Sequence, residues 1–233
     1  MSARQAQLET LLRTLKLPGM ADMLGERLAQ AAAGALGHAE LLALLCGDET
    51  ARRDAAGLAR RLAAARFETT CAVEDFDFAF NPDVPAGVIR DLATLRFLEQ
   101  GESVILHGPV GVGKTMLAQA LGQLACRRGH SAAFAKTSRL LADLAGGHAD
   151  RSWQSRLHRW ARPAVLIMDL SRPRRYPDMS LGWMRLFLSR RVFWLGGGRR
   201  GRHNSAAGRD PFPSEHGASV EGGHDGTRCL DAR

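Results

Sequence analysis

Long apolar runs and paired cysteines are both missing from this 233-residue sequence. A membrane-spanning helix needs about 20 consecutive apolar residues, and no segment reaches that length. The N-terminus, MSARQAQLETLLRTLKL, carries charge through its apolar segment, unlike a secretory signal. No CxxC motif and no Cys/His pair occurs, which argues against disulfides and zinc. We therefore expect a cytoplasmic protein without membrane contact, whose cysteines stay reduced: Cys46, Cys71, Cys126 and Cys229.

Lysine is also scarce, since only three of the 32 basic residues are lysines. The net charge of +8 is unevenly placed along the chain. Residues 171–233 contain twelve arginines and six acidic residues, a local balance of +6, which leaves +2 for the first 170 residues. The sequence pI of about 10.3 is therefore mainly a property of the segment after residue 170.

The N-terminal region has helical periodicity. Apolar residues at i, i+3, i+4 and i+7 predict an amphipathic helix, and Pro18-Gly19 ends it. Three further helices are predicted over about residues 20–33, 39–46 and 51–67. The apolar residues of the first helix are Leu8, Leu11, Leu12 and Leu15.

The last of these helices carries five arginines, and two interpretations of them stay open. A basic helix face can neutralise DNA phosphates. A solvated face has the same composition, and composition alone favours it. The five residues are Arg52, Arg53, Arg60, Arg61 and Arg66.

The segment VEDFDFAFNPDVP, residues 73–85, predicts an extended linker. Its two prolines exclude helix, and its phenylalanines alternate as in a half-buried strand. Phenylalanines at this spacing usually serve packing, and the alternative is that they wall a base pocket. They are Phe76, Phe78 and Phe80. A helix over about residues 88–99 follows, and Gly101 stops it.

Residues 108–115, GPVGVGKT, satisfy the phosphate-loop motif GxxxxGK[ST] between the apolar strand SVILH and the helical segment TMLAQALGQLACRRG. Glycines let successive N–H groups point at phosphates, and the helix N-terminus adds the positive end of its dipole. Lys114 is expected to reach the β- and γ-phosphates of ATP, and the Thr115 hydroxyl to complete the Mg²⁺ shell. The predicted nucleotide-binding residues are Gly108, Pro109, Val110, Gly111, Val112, Gly113, Lys114, Thr115 and Met116.

After this loop the sequence alternates between strand and helix patterns, as in a parallel α/β domain. A strand is predicted over residues 131–136, followed by a helix with Thr137 or Ser138 as its cap and by a second helix, SWQSRLHRWA. The apolar run AVLIMD then ends in Asp169. This is the Walker B pattern, in which a buried strand delivers a carboxylate to the Mg²⁺ water shell.

The two motifs define the predicted chemistry. Lys114 and Asp169 are the predicted catalytic residues. Thr115 and Asp169 form the predicted Mg²⁺ site, with Asp169 acting through water.

Several segments together resemble the IstB-like ATP-binding proteins of bacterial insertion sequences. They are LKLPGMADML, ARRDAAGLARRLAAARF, VEDFDF, IRDLATLRFLEQGESVIL, GPVGVGKTMLAQAL and ARPAVLIMD, and they cover roughly residues 8–169. The resemblance implies an AAA+ ATPase, similar to the helicase-loader branch, that binds ATP and DNA, self-assembles and assists a partner transposase. It also implies that the N-terminal helices serve DNA contact and self-assembly, which favours DNA contact by the five arginines.

The chain departs from this pattern directly after Asp169. Family members continue with a second acidic residue that polarises the attacking water, whereas this chain has Leu170. Asp178 follows two prolines and is no convincing replacement. Asn204 is not at a strand end, as a sensor residue would be. We also expect the fourth and fifth strands and the arginine finger to be missing, although RVFWL is a possible strand, and this would expose a sheet edge.

The composition after residue 170 suggests a cause. Arg, Gly, Ala, Pro and Ser dominate this segment, as expected when a GC-rich coding sequence is translated in a shifted frame. A genuine basic tail that binds nucleic acid is the alternative. Both interpretations predict disorder.

The predicted fold class is α/β: an AAA+-type P-loop NTPase with a parallel central sheet, incomplete at its C-terminal side, behind an N-terminal helical module. The predicted segments are an N-terminal helical DNA-binding and assembly module (1–70), a linker (71–87), a partial ATP-binding core (88–170) and an aberrant basic tail (171–233). The predicted function is ATP- and DNA-dependent regulation of a transposase, with impaired hydrolysis. The alternatives are a helicase-loader-like replication ATPase and an inactive nucleotide- or DNA-binding remnant. A small-molecule kinase is disfavoured because no substrate lid follows the loop.

Overall fold

The computed structural model describes residues 2–34, 36–78, 84–108, 110–169, 192–197 and 227–231. The chain divides into two compact units, Met1–Arg60 and Arg61–Arg233. None of the described helices combines the length and the apolar character that crossing a membrane requires. The four segments that the sequence suggests stay a prediction, because the two units reflect packing and not role.

The first unit is helical. Helix α1 (Ala3–Thr14) begins after Ser2, whose hydroxyl accepts a hydrogen bond from the Gln5 N–H at 3.2 Å. Helix α2 (Pro18–Gly34) has proline at its first position, where the missing N–H is no loss. Helix α3 (His38–Ala65) is continuous. The prediction of two separate helices over 39–46 and 51–67 is therefore wrong.

Contacts with α2 explain why α3 continues through Gly47. A glycine inside a helix costs roughly 1 kcal/mol. The two residues that follow it bond to α2: Asp48 accepts hydrogen bonds from Arg27 at 2.8 and 2.7 Å, and Glu49 accepts one from the Gly19 N–H at 2.6 Å. These bonds offset the cost of the glycine.

Glu49 is a buried carboxylate surrounded by donors. Arg52 donates to it at 2.8 Å and Arg53 at 2.7 Å, in addition to the Gly19 N–H. These bonds, that of Arg52 above all, lower the pKa of Glu49 to about 2. A Cβ on residue 19 would lie 2.7 Å from Glu49 Oε2, so glycine is required at this approach.

The second unit begins in the last turn of α3 and continues through alternating helices and strands. After a 3-10 turn (Val73–Asp75) its elements are α4 (Ala86–Ala93), α5 (Arg96–Gln100), β1 (Ser103–Gly108), α6 (Lys114–Arg127), β2 (Ala132–Lys136), α7 (Thr137–Ala149), α8 (Trp153–Ala161), β3 (Val165–Asp169), β4 (Val192–Gly197) and β5 (Thr227–Asp231).

Three local predictions need correction. The linker predicted as extended contains the 3-10 turn, and its residues 79–83, with Phe80, lie outside the described residues. The single helix predicted over 88–99 is split into α4 and α5, because Leu95 has a left-handed φ of 63°. The N-cap position of α7 is Lys136, not Thr137 or Ser138, and the Lys136 side chain makes no capping hydrogen bond.

The five strands form one parallel sheet in the order β2-β3-β4-β1-β5. The expectation that the fourth and fifth strands are missing is wrong. β4 pairs with both β1 and β3, and β5 pairs with β1. A central parallel strand requires only a short apolar run, and residues 192–195, VFWL, supply one.

The core of the second unit lies on both faces of β3. Every residue of β3 is buried, and successive side chains of a strand point to opposite faces. Leu166 and Met168 pack with α7 and α8. Ile167 lies on the other face, where a Cβ on Gly122 of α6 would be 2.6 Å from its Cδ1. Helices thus cover both sides of the strand that carries Asp169.

The Glu49 site predicts a specific pH dependence of stability. Its folded pKa of about 2 lies below the ordinary value of 4.5, so the stabilisation is complete above that value and is lost as the pH falls towards 2. Glu49→Gln should lower the free energy of unfolding at pH 6, with the deficit shrinking towards pH 2. Denaturant unfolding of the full chain across this range measures the difference.

Asp54→Asn is the matched control. Asp54 is an exposed carboxylate of the same helix and makes no hydrogen bond or ion pair with the described residues. Its replacement should leave the acid dependence of unfolding as in the parent protein. A deficit for Glu49→Gln that is the same at every pH would contradict the proposed linkage.

Candidate nucleotide-binding site

The site lies at the carboxyl edge of the sheet. β1 ends at Gly108 and β3 ends at Asp169, and β4 separates the two strands. The register pairs Gly108 with Gly197 and Asp169 with Leu195 on the two sides of β4. Since neighbouring strands are about 4.8 Å apart, the two strand ends are separated by roughly 10 Å across β4.

The phosphate loop connects β1 to α6 through glycines that adopt positive φ. Gly111 has φ 93° and Gly113 has φ 89°, values that L-residues with a Cβ rarely adopt. Gly113 is the N-cap of α6, so the helix begins at Lys114. Helix N–H groups and the helix dipole therefore face the loop. Val110 is exposed at the tip of the loop, and Pro109 lies outside the described residues.

Lys114 lies back across the loop, where its Nζ donates a hydrogen bond to the Gly108 carbonyl at 2.9 Å. Burial lowers the pKa of Lys114, and the Asp169 carboxylate partly opposes this shift. The Lys114 ammonium and the Asp169 carboxylate are therefore close enough to interact electrostatically. An anionic phosphate between the loop N–H groups would favour the charged ammonium further.

The oxygen atoms near this edge suit Mg²⁺. Asp169 is only 5% exposed and ends a buried strand, and the half-buried Thr115 is the second residue of α6. Mg²⁺ takes oxygen ligands and keeps several waters, so a hydroxyl and a carboxylate acting through water form a fitting donor set. The roles of Lys114, Thr115, Asp169 and Met116 in binding stay predictions.

A further polar atom lies near this edge. Lys136, the last residue of β2, pairs in register with Asp169, and Thr137 follows it. The Thr137 hydroxyl is buried and has no hydrogen-bond partner among the described residues. A buried unsatisfied hydroxyl costs roughly 1–3 kcal/mol. A water molecule bound in an occupied site would form a hydrogen bond with this hydroxyl and remove the cost.

Phe76 of the linker packs directly against the phosphate loop. A Cβ on Gly113 would lie 2.6 Å from Phe76 Cε2. Phe76 in turn meets Phe78 edge to face, with ring centroids 4.9 Å apart. Packing is therefore one observed role of these phenylalanines, and the alternative of a base pocket stays a prediction.

Two buried glutamines of α6 hold residues 68–71, the segment that leads into the linker, along the helix. Gln119 Oε1 accepts from the Glu68 N–H at 2.7 Å and the Thr69 N–H at 3.2 Å. Gln123 donates to the Thr69 carbonyl at 2.8 Å and accepts from the Cys71 N–H at 3.4 Å. Side-chain amides of α6 thus satisfy the backbone groups of this segment. These residues were not predicted; polar residues four apart on an otherwise apolar helix were the available signal.

The five arginines proposed for DNA contact do not share one environment. Arg52 and Arg53 are engaged by Glu49. Arg61 donates through Nε to the Cys126 carbonyl at 2.9 Å, which satisfies the end of α6. Arg60 and Arg66 are exposed and make no hydrogen bond or ion pair within the described part of the chain. DNA contact by these arginines stays a prediction.

Comparison with known proteins identifies the family of this chain. The sequence model of the family described as IstB-like ATP binding protein matches residues 10–172. The chain belongs to the IstB-like ATP-binding protein family. A putative ATP-binding protein in an insertion sequence of Mycobacterium tuberculosis is 58% identical over 169 residues, covering 72% of this chain and 67% of the relative. The insertion sequence IS21 putative ATP-binding protein of Pseudomonas aeruginosa is 38% identical over 163 residues, covering 70% and 62%.

Family membership and the observed topology confirm the predicted AAA+-type P-loop fold with an N-terminal helical region. Among solved structures, the DnaC helicase loader is similar to this IstB-like chain with a TM-score of 0.42 and 19% identity, covering 62% of this chain and 82% of that one. The chain spans less than two thirds of the length of the IS21 relative. The activity and partners of the whole protein are therefore matters of proposal.

The contact between Gly113 and Phe76 predicts the effect of a single methyl group. Gly113→Ala adds a Cβ at positive φ, which costs about 1–2 kcal/mol, and also a clash with the Phe76 ring at 2.6 Å. We expect this variant of the IstB-like chain to unfold at lower denaturant concentration and to lose ATP binding. Denaturant unfolding and calorimetric titration with ATP measure the two effects.

Gly129→Ala separates strain from clash. Gly129 has φ 91°, but no atom lies within 4 Å of its added Cβ, so this variant carries the backbone strain alone. Removing the ring as well, in Phe76→Ala with Gly113→Ala, should relieve the clash and leave the strain. Equal destabilisation by Gly113→Ala and Gly129→Ala would show that the contact with the Phe76 ring does not contribute to the loss of stability.

Proposed function

We propose that this protein binds ATP with Mg²⁺ and binds DNA, and that it assists transposition in the cytoplasm by regulating a transposase. The observation that supports this most strongly is the phosphate loop between β1 and α6, with Lys114 bonded to the Gly108 carbonyl and Asp169 at the end of buried β3. Family membership adds the insertion-sequence context.

In this proposal, the residues of the chain position the nucleotide. The loop N–H groups and the N-terminus of α6 hold the phosphates. Lys114 leaves the Gly108 carbonyl and pairs with the β- and γ-phosphates, while Thr115 and Asp169 hold the Mg²⁺ shell. The metal, when bound, neutralises the charge that develops on the phosphates.

The first unit offers surfaces for the macromolecular partners. Leu8 and Leu11 of α1 and Leu15, which follows its last residue, are 43%, 52% and 67% exposed. They follow helical spacing on one face, and an exposed apolar surface of this kind is typical of an interaction site. We infer that this face serves self-assembly or transposase contact. Arg52, Arg53 and Arg61 are engaged by protein oxygens. Of the five predicted arginines, this leaves Arg60 of the first unit and Arg66 of the second for sequence-tolerant contact with duplex DNA.

Hydrolysis should be slow. The family resemblance places a second carboxylate directly after Asp169, where this chain has Leu170. A general base contributes about 10²–10⁴-fold and an arginine finger about 10³–10⁵-fold. A chain that binds the phosphates but lacks the water-activating carboxylate would act as a nucleotide-dependent DNA-binding protein with little ATP hydrolysis.

The proposal predicts that Lys114→Ala abolishes binding of ATP with Mg²⁺, because the phosphates lose their cationic partner. Calorimetric titration of the purified chain measures the affinity. Lys136→Ala is the matched control, since Lys136 is an exposed lysine paired with Glu68 at 3.1 Å. Unchanged affinity in Lys114→Ala would contradict the proposed site.

Steady-state ATP hydrolysis by the parent protein should be far below about one turnover per second, the lower end of typical enzymes. Leu170→Glu restores a carboxylate beside Asp169 and should raise turnover by up to about 10²–10⁴-fold. Lys114→Ala supplies the blank. Turnover of the parent at ordinary enzymatic rates would show that another residue, with Asp178 the first candidate, activates water.

A further inference from the structure

Helix α8 has one face packed on the core of the second unit. Trp153, Leu157 and Trp160 pack against the buried cluster formed by residues of β2, β3 and α7. At the start of the helix, a Cβ on Gly147 of α7 would lie 2.7 Å from Trp153 Cα, so the two helices approach closely there. The apolar side of α8 is therefore already covered by the protein itself.

Ionic contacts fix α8 further. Asp143 of α7 accepts from Trp160 Nε1 at 2.7 Å and from Arg159 at 2.6 Å, and Arg156 lies 3.3 Å away. The Trp160 bond, followed by the two arginines, lowers the pKa of Asp143. Arg156 also pairs with Asp150. The two aspartates on this side of α8 are thus both occupied by arginines of the helix.

The opposite side of α8 is basic and open. Ser155, His158 and Arg162 follow helical spacing, and all three are exposed. Arg151 precedes the helix and is exposed as well. Arg151, His158 and Arg162 make no hydrogen bond or ion pair with residues that the structure describes, and residues 151–162 include no acidic residue. The Arg159 side chain is 64% exposed, and its guanidinium carbon lies 5.8 Å from the Trp160 ring centroid. We define the α8 basic face as Arg151, Ser155, His158, Arg159 and Arg162.

We propose that the α8 basic face contacts the phosphates of duplex DNA. From Ser155 to Arg162 the face extends about 10 Å, a length over which duplex DNA carries roughly six phosphate charges. Arginine is suited to phosphate, and a serine hydroxyl is a common phosphate donor. The contacts of Arg156, Arg159 and Trp160 with Asp143 hold the face rigid, which lowers the entropy lost on binding.

A membrane surface fits this face less well. Helices that lie on membranes insert an apolar face between lipids. The apolar face of α8 is packed against Leu166 and Met168, so only its charged side could meet a lipid headgroup. Duplex DNA requires only charge and hydrogen bonds from the protein.

This inference rests on the DNA-binding part of the proposed function and assigns a surface in the second unit to it. Binding of the full chain to a duplex of about 30 base pairs, roughly three helical turns, is measured over a range of salt concentrations. Arg151→Gln combined with Arg162→Gln should reduce the slope of log affinity against log salt by about 1.8, since each phosphate contact contributes about 0.9.

Arg90→Gln combined with Arg96→Gln is the matched control. Both arginines are exposed and belong to α4 and α5, and their side chains make no hydrogen bond or ion pair in the described part of the chain. This pair removes the same charge and should leave the slope unchanged. A third pair, Arg60→Gln with Arg66→Gln, measures the contribution of the arginines at the end of α3. ATP binding and thermal unfolding should match the parent protein in all three.

A flatter slope for the α8 pair alone, or for the α8 and α3 pairs together, supports the proposal. A parent-like slope for the α8 pair overturns it, as does an equal flattening in the Arg90 and Arg96 control. The proposal is also overturned if the α8 pair loses binding to vesicles of phosphatidylcholine and phosphatidylserine while its DNA binding is unchanged. If the parent binds no DNA, this inference and the DNA part of the proposed function both fail, whereas the Lys114 titration tests nucleotide binding separately.

Discussion

The close approach of aromatic and aliphatic side chains to two glycines of the α6 region determines the geometry of the candidate site. Phe76 lies against Gly113 at the start of the helix, and Phe67 and Ile167 lie against Gly122 two turns later. The second contact seats α6 on β3, and the first holds the linker over the phosphate loop. Because protein interiors are close-packed, α6 cannot shift without disturbing both the strand that ends in Asp169 and the linker.

The sequence was most informative where chemistry requires particular residues. The loop GPVGVGKT predicted a strand before it, a glycine turn that directs N–H groups at phosphates, and a helix after it. The structure has β1, glycines at positive φ and α6, which begins one residue before the predicted helical segment. The helix boundaries were harder to predict, because tertiary contacts override local preference. Gly47 does not end α3, since Asp48 and Glu49 bond to α2. The break at Leu95 depends on a left-handed residue that no local pattern indicated.

The arginines are a second case in which tertiary contacts could not be predicted from the sequence. A count of arginines on one helix predicts a basic surface, but it cannot show which guanidinium groups the protein uses for its own structure. Arg52, Arg53 and Arg61 bond to protein oxygens, so much of the predicted charge serves folding. The arginines of the α8 region also differ in environment. Arg156 pairs with Asp143 and Asp150, whereas Arg162 is exposed. Only side-chain partners distinguish the two cases.

The segment after residue 170 illustrates that strand formation is less demanding of sequence than the placement of a reactive side chain. The family match ends at residue 172, and the composition changes there, which fits a shifted reading frame or a genuine basic tail. Nevertheless β4 and β5 come from this segment and complete the parallel sheet. A strand position between β1 and β3 requires only an apolar run with free N–H and C=O groups, which many sequences provide. In the proposed function, activation of water requires a carboxylate directly after Asp169, where this chain has Leu170. The proposed loss of hydrolysis is therefore compatible with a parallel sheet that persists.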